Sequence, residues 1–292
     1  MITLPATTWR RRIAAHEREA GLRTAAHSAR RAAGEPHALE DFVFDYYGLR
    51  PGRLRRWHPG LGVRLSATDG EVPHASWRWY RSDGNDAVTV DHEAFMAARA
   101  QTVDFVARLL RAVEGRRSFT GCLGLHEWAM VYRQDDHRHP LPLRLGQRGT
   151  DEVVERSRLR CSHFDAFRFF TPEAAPMNEV APSRDSQADH DQPGCLHVGM
   201  DLLKWCLKLG PLVPGDLTLR AFDLAVRARQ LDMRASPYEV SGFGLEPVRI
   251  ETPAGRAEYV AGQRELAEAG SGLRRALIHL CDQLERPSIH PG

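Results

Sequence analysis

Three cysteine–histidine pairs at short spacing single out residues 121–210 of this 292-residue chain: Cys122 with His126, Cys161 with His163, and Cys195 with His197. A carboxylate follows each pair closely, at Glu127, Asp165 and Asp201. Thiolate, imidazole and carboxylate are the side chains that build closed zinc sites or open iron sites. The spacings match no established metal motif and no cysteine lies in a CxxC, so buried cysteines and hydrogen-bonded histidines are the expectation. Neither a metal ligand nor a cofactor is assigned. If the stretch forms a site, His126, His163, His197 and Asp165 must converge in one cleft near the polar segment 178–194.

A second constellation lies on the apolar segment 196–210. At about 100° per residue, His197, Asp201, Lys204 and Lys208 fall in one narrow strip. This is either a solvated face with charged neighbours three and four residues apart or the wall of a pocket. Lys204 and Lys208 are the only lysines among 40 cations. With Asp201 three residues before it, Lys204 is expected to remain a cation that holds a carboxylate or phosphate, not a Schiff-base nucleophile. CSHFDAFRFF (161–170) sets Phe164 and three further phenylalanines beside His163 and Asp165, either as core or as a stacking surface. Arginine alternates with aromatics at 42–57, including Arg53, Arg55 and Arg56, and again in WRWYR (77–81). That alternation suits phosphate contact with stacking, or a packed shell in an arginine-rich protein.

The elements that must position these residues are mostly helical. Periodicity, caps and breakers predict helices over 8–33, 93–116, 196–209, 214–233 and 253–284, the last weakened around Gly270 and Gly272. Turn signals at Gly60, Asp69-Gly70 and Asp83-Gly84 divide 61–91 into two or three short strands, a small β insert. Residues 121–133 form a dense apolar stretch, 134–150 a loop, and 237–251 an irregular segment or short strand pair. Residues 178–194 read as a long polar loop, and 286–292 as a frayed tail. The fold class is a mostly α, compact single domain over 1–292.

Composition excludes several classes. Apolar residues make up 42% and charged residues 27%, with net charge +2, and no apolar run is long enough for a membrane span. The first twenty residues turn charged without an apolar signal core, so a cytoplasmic protein with reduced thiols is expected. There is no Walker A loop, GxGxxG after a strand, GxSxG or HExxH.

The stretches VFDYYGLRPGRLRRWHPG (43–60), GLHEWAMVYR (124–133), CSHFDAFRFFTPEAAPMN (161–178), QPGCLHVGMDLLKW (192–205) and LDMRASPY (231–238) together carry a resemblance over about residues 9–265. The chain resembles a family common in high-GC actinobacteria whose members are usually labelled 3-methyladenine DNA glycosylases. The resemblance implies base excision from damaged DNA, with no membrane and no obligate protein partner. A purine methylated at N3 or N7 is already cationic, so its glycosidic bond needs little acid catalysis. The enzyme must flip the nucleotide, stack the base and stabilise an oxocarbenium-like sugar beside an oriented water. Asp165 or Glu127 is the expected carboxylate, with His163, His197 and Asp201 beside it. Trp128, Tyr132 and Phe164 would stack the base, while Lys204, Arg53, Arg55 and Arg56 would hold phosphate. The alternative is a metal-dependent hydrolase or oxidoreductase using His126, His163 and His197 with Glu127, Asp165 and Asp201. A nucleic-acid or protein-binding module with an incidental polar core is a third reading.

Overall fold

The computed structural model describes residues 1–84, 86–135, 137 and 139–285; the expected frayed tail at 286–292 lies outside the described residues. The chain is mostly helical with one small sheet. Its contacts gather into two compact units. One comprises residues 1–110, 203–222 and the chain from Leu273 onward; the other comprises 111–202 and 223–272. No helix among the described residues is long and apolar enough to cross a membrane.

The first unit opens with strand β1 (Ile2–Leu4) and the long helix α1 (Ala6–Ala33). Trp9, His16, Ala20, Thr24 and His27 are buried along α1 at spacings of three, four and seven, a single stripe on an otherwise charged helix. Gly34 ends it at φ 71, with its amide turned back onto the carbonyls of Arg30 and Arg31, the left-handed cap that glycine adopts without a Cβ clash. Two short helices follow, α2 (Phe42–Tyr47) and α3 (Pro51–Leu54).

The β insert forms as expected, with β2 (Val63–Ser66), β3 (Tyr80–Ser82) and β4 (Ala87–Val90). The sheet order is β1-β2-β4-β3, with β1 parallel to β2 and the other pairs antiparallel. Strand β1 was not expected. Three residues carry no readable period, and pairing Ile2 with Val63 is a long-range event that local pattern does not encode.

Helix α4 (His92–Glu114) begins in this unit. The second unit adds four short helices: α5 (Leu125–Ala129), α6 (Gly146–Glu155), α7 (Phe164–Phe167) and α8 (Gln187–His190). Three long helices complete the chain, α9 (Leu196–Leu209), α10 (Gly215–Ala235) and α11 (Pro253–Glu285). Each long helix contributes one stretch to each unit, α9 dividing between Leu202 and Leu203.

Helix α11 runs unbroken through Gly270 and Gly272. A Cβ on Gly270 would sit 3.5 Å from Leu202 and Leu224, so this glycine lies where side chains approach the helix closely. The segment 237–251 forms no strand pair; it makes a single bridge, Leu143 with Tyr238, and one 3-10 turn at Ser241–Phe243.

Three histidines of the first unit are held neutral. His16 Nε2 lies 2.9 Å from the Leu54 carbonyl, His74 Nε2 lies 2.9 Å from the Trp57 carbonyl, and His58 Nδ1 lies 2.8 Å from the Tyr80 hydroxyl. Burial lowers all three pKa values, that of His58 to about 3. Unfolded histidine titrates near ~6.5, so the unfolded chain takes up protons that the folded unit refuses. The stability from these groups is full above that value and falls as pH drops towards the folded values. Each group that stays neutral in the folded unit while its unfolded counterpart is protonated contributes up to about 1.4 kcal/mol per pH unit. Urea unfolding should therefore show a clear loss of stability from about pH 7 to about pH 5. An unchanged midpoint across that interval would contradict the assignment.

Candidate functional site

The three cysteine–histidine pairs meet inside the second unit. Cys122 and His126 are separated by four residues, and the Cys122 Sγ lies 3.6 Å from His126 Nδ1. The turn that brings them together includes Leu123 at φ 53 and Gly124 at φ 71. A leucine in the left-handed region is strained, and the strain is held at the entrance to α5. A Cβ on Gly124 would come within 3.2 Å of Ala235 and 3.3 Å of Tyr259, so glycine is also needed here for close packing.

The His126 and His197 rings meet edge to face at 4.6 Å, and those of His163 and His197 stack at 5.2 Å with planes 19° apart. All three histidines are buried. His163 Nε2 lies 3.5 Å from Asp201 Oδ2. The three cysteines, His126, His197 and Gln263 help line a cavity of about 10 Å³, room for roughly one water-sized occupant. The expected convergence of the histidines is observed, but the cavity is far smaller than a nucleobase.

The segment 178–194 is no free loop. It contains α8, and Gln187, Asp191 and Gln192 are buried. The Gln192 amide brackets Phe119, accepting from its N–H at 2.8 Å and donating to its carbonyl at 3.0 Å. Gln263 Nε2 donates to the Gly194 carbonyl at 2.6 Å, which ties the turn before α9 to α11 within this unit.

A buried charge network completes the cluster. Arg229, on α10, donates to Glu127 Oε1 at 2.7 Å and to Asp232 Oδ2 at 3.1 Å. Its other terminal nitrogen lies 3.3 Å from His139 Nε2. The remaining Asp232 oxygen, Oδ1, lies 2.8 Å from His126 Nε2. Burial alone would push Asp232 up, but His126, His197 and Arg229 outweigh it and hold its carboxyl well below the usual range. Burial likewise opposes protonation of His126, and the facing Asp232 overcomes it. His197 has no such close partner; burial and the neighbouring His126 push it down.

Among the thiols, a hydrogen bond from Cys161 favours the Cys122 thiolate, and the same contact holds Cys161 protonated. Burial does so for Cys195. None of the five cysteines forms a disulfide.

The other expected residues are dispersed. Glu127 is engaged by Arg229. Trp128 is enclosed on all sides, its Nε1 donating to the Ala235 carbonyl at 2.8 Å, so its ring presents no face to a ligand. Tyr132 is buried, with its hydroxyl donating to Glu155 at 3.0 Å. Phe164 lies under Arg184, with the guanidinium 5.7 Å from the ring centre. Asp165 pairs with Arg168 at 3.2 Å; burial opposes protonation of His163, and Asp201, Asp191 and Asp165 together outweigh it and raise its pKa. Asp232 and Arg229 were missed because two charges on an amphipathic helix read as part of its wet face. A closer signal was available, since Asp232 sits between Leu231 and Met233 in LDM.

The strip on α9 divides. His197 and Asp201 belong to the buried cluster, whereas Lys204 and Lys208 line a different cavity, wholly within the first unit. That cavity has a volume of about 470 Å³ and combines six cations with aromatic rings. Arg53, Arg56, Arg78 and Arg99 join the two lysines, and no acidic side chain lines it among the described residues. Arg56 lies over the Trp77 ring at 5.6 Å and Arg78 over the Trp79 ring at 4.2 Å. Trp79 itself sits at φ 71, a costly conformation for a bulky side chain, held where the cavity is formed. Burial, followed by the charge of Arg56, lowers the Arg53 pKa; a bound anion would relieve this crowding. Arg55 does not line the cavity; it reaches Thr24 Oγ1 at 3.4 Å.

Comparison with family models, curated proteins and solved structures found no match to this chain.

The charge network predicts an order of damage. Arg229→Ala leaves Glu127 and Asp232 buried without their cation and should cost about 3–5 kcal/mol, whereas Glu127→Gln, which keeps a hydrogen-bonding partner, should cost about 1–3 kcal/mol. Denaturant titration of the two variants checks this. Equal, small losses would show that the network contributes little.

Proposed function

We propose that the chain binds DNA through the cationic, aromatic cavity of its first unit and excises alkylated purines. The observation that carries the reading is the composition of that cavity. Six cations with no lining carboxylate suit phosphodiester oxygens, and Trp77, Trp79, Tyr47 and Phe95 supply rings for an unstacked base. The resemblance to proteins labelled 3-methyladenine DNA glycosylases supplies the reaction class. The stacking role foreseen for Trp128 passes in this reading to Trp77 and Trp79, because the Trp128 ring is enclosed.

A cationic alkylpurine is a good leaving group, so the protein must chiefly hold the extruded nucleotide and stabilise positive character at the sugar. Of the two candidate carboxylates, Glu127 is committed to Arg229, and Asp165 keeps a side chain 15% exposed. Both belong to the second unit and neither lines the cavity, so neither is assigned that role.

Binding to duplex DNA should weaken with salt, with a slope of about −0.9 for each phosphate contacted. Arg56→Glu with Lys208→Glu should weaken binding by about tenfold or more, through loss and reversal of two charges. Purified protein should release free 3-methyladenine from methylated duplex DNA. Binding without release would remove the excision step, and absence of both would remove the whole reading.

A further inference from the structure

We infer that the second unit holds one divalent first-row transition-metal ion on His126 Nε2, one ring nitrogen of His197 and Asp232 Oδ1. This site goes beyond the base-excision reading and does not depend on it. One potential ligand atom from each residue falls in a group whose members all lie within 4.8 Å of one another; His126 and Asp232 are buried and the His197 side chain is 11% exposed.

The second observation is how His126 and Asp232 face each other. Their Nε2 and Oδ1 atoms are only 2.8 Å apart, yet neither makes an aligned hydrogen bond, to the other or to any further group. Two buried polar atoms this close would ordinarily be joined by an N–H pointing from one to the other. With His126 neutral, its Nε2 and Asp232 Oδ1 each offer a lone pair, and an ion beside them and His197 would join the three as ligands. Without an ion the same two atoms form the charged pair described above, so metal binding there displaces the His126 proton.

The surroundings supply what ligands need. Cys122 Sγ stands 3.6 Å from the other nitrogen of His126, which fixes the ring. Arg229 holds Oδ2 of Asp232 at 3.1 Å and leaves Oδ1 to face His126. The adjoining cavity, of about 10 Å³, adds Gln263, whose Oε1 is buried without a hydrogen-bond partner. Two imidazoles with one carboxylate suit iron(II), zinc or a neighbouring ion of that series, and poorly suit calcium or magnesium, which prefer all-oxygen sites. Three protein ligands leave coordination positions for water or a small molecule.

The test uses the full chain purified without chelator, analysed by elemental mass spectrometry. About one transition-metal ion per chain is expected, with affinity falling about 10–100-fold in Cys122→Ala through the loosened ring of His126. His197→Ala and Asp232→Asn should lose the ion, and His92→Ala, at the start of α4, should keep it. Because Asp232→Asn disturbs a buried network and can fail to fold, the wild-type chain is also stripped and titrated. Zinc or cobalt(II) should then raise its thermal midpoint, and magnesium should not. Less than about a tenth of an equivalent on isolation, with no shift on adding zinc or cobalt, would overturn the site. Retention of the ion by His197→Ala would do the same.

Discussion

The buried guanidinium of Arg229 is the constraint on which the second unit depends. A fully desolvated cation is tolerated only when its charge is met, and here Glu127 and Asp232 meet it at 2.7 and 3.1 Å. Satisfying Arg229 fixes α5 through Glu127 and orients Asp232 so that its other oxygen faces His126. The strained turn at Leu123-Gly124, the enclosed Trp128 and the tied-down segment around Gln192 then pack around that pairing. The cysteine–histidine pairs converge because the chain is organised around a charge that must not be left bare.

The first unit solves a different problem. Three of its histidines are held neutral, each with one ring nitrogen near an oxygen, and six cations gather at a cavity. Six cations gathered beside aromatic rings are the feature on which the DNA-binding proposal rests. Conformational cost points the same way, since Trp79 holds a backbone angle that bulky residues avoid. The two chemistries have separate physical origins. One cluster is buried around a small cavity; the other cavity is larger and lined by cations.

Much of the fold was legible because its long helices carry clear periods and stops. Gly34 ends α1, and the breakers after Leu209 end α9. The three short strands between 61 and 91 announced themselves through their turns, whereas β1 did not, since a three-residue strand is specified by its partner. Within the cluster, short spacing revealed the Cys–His pairs, and helical phase grouped His197 with Asp201. Helical phase also joined Lys204 to that group, because an isolated helix cannot show where burial ends along its length. The carboxylate at position 232 was hidden for a related reason. Its partner His126 is more than one hundred residues away, and only tertiary packing turns an ordinary helix charge into a buried one.

The central claim is that Arg229 sets Asp232 to complete a nitrogen–oxygen ligand set, with the three cysteines beside it and outside it. X-ray absorption of the zinc-loaded chain reads the ligand atoms directly. The account predicts a first shell of nitrogen and oxygen alone, at about 2.0–2.2 Å, two of the scatterers showing the outer-shell pattern of imidazole. Sulfur in the first shell, at about 2.3 Å, would place the ion on the cysteines and contradict it.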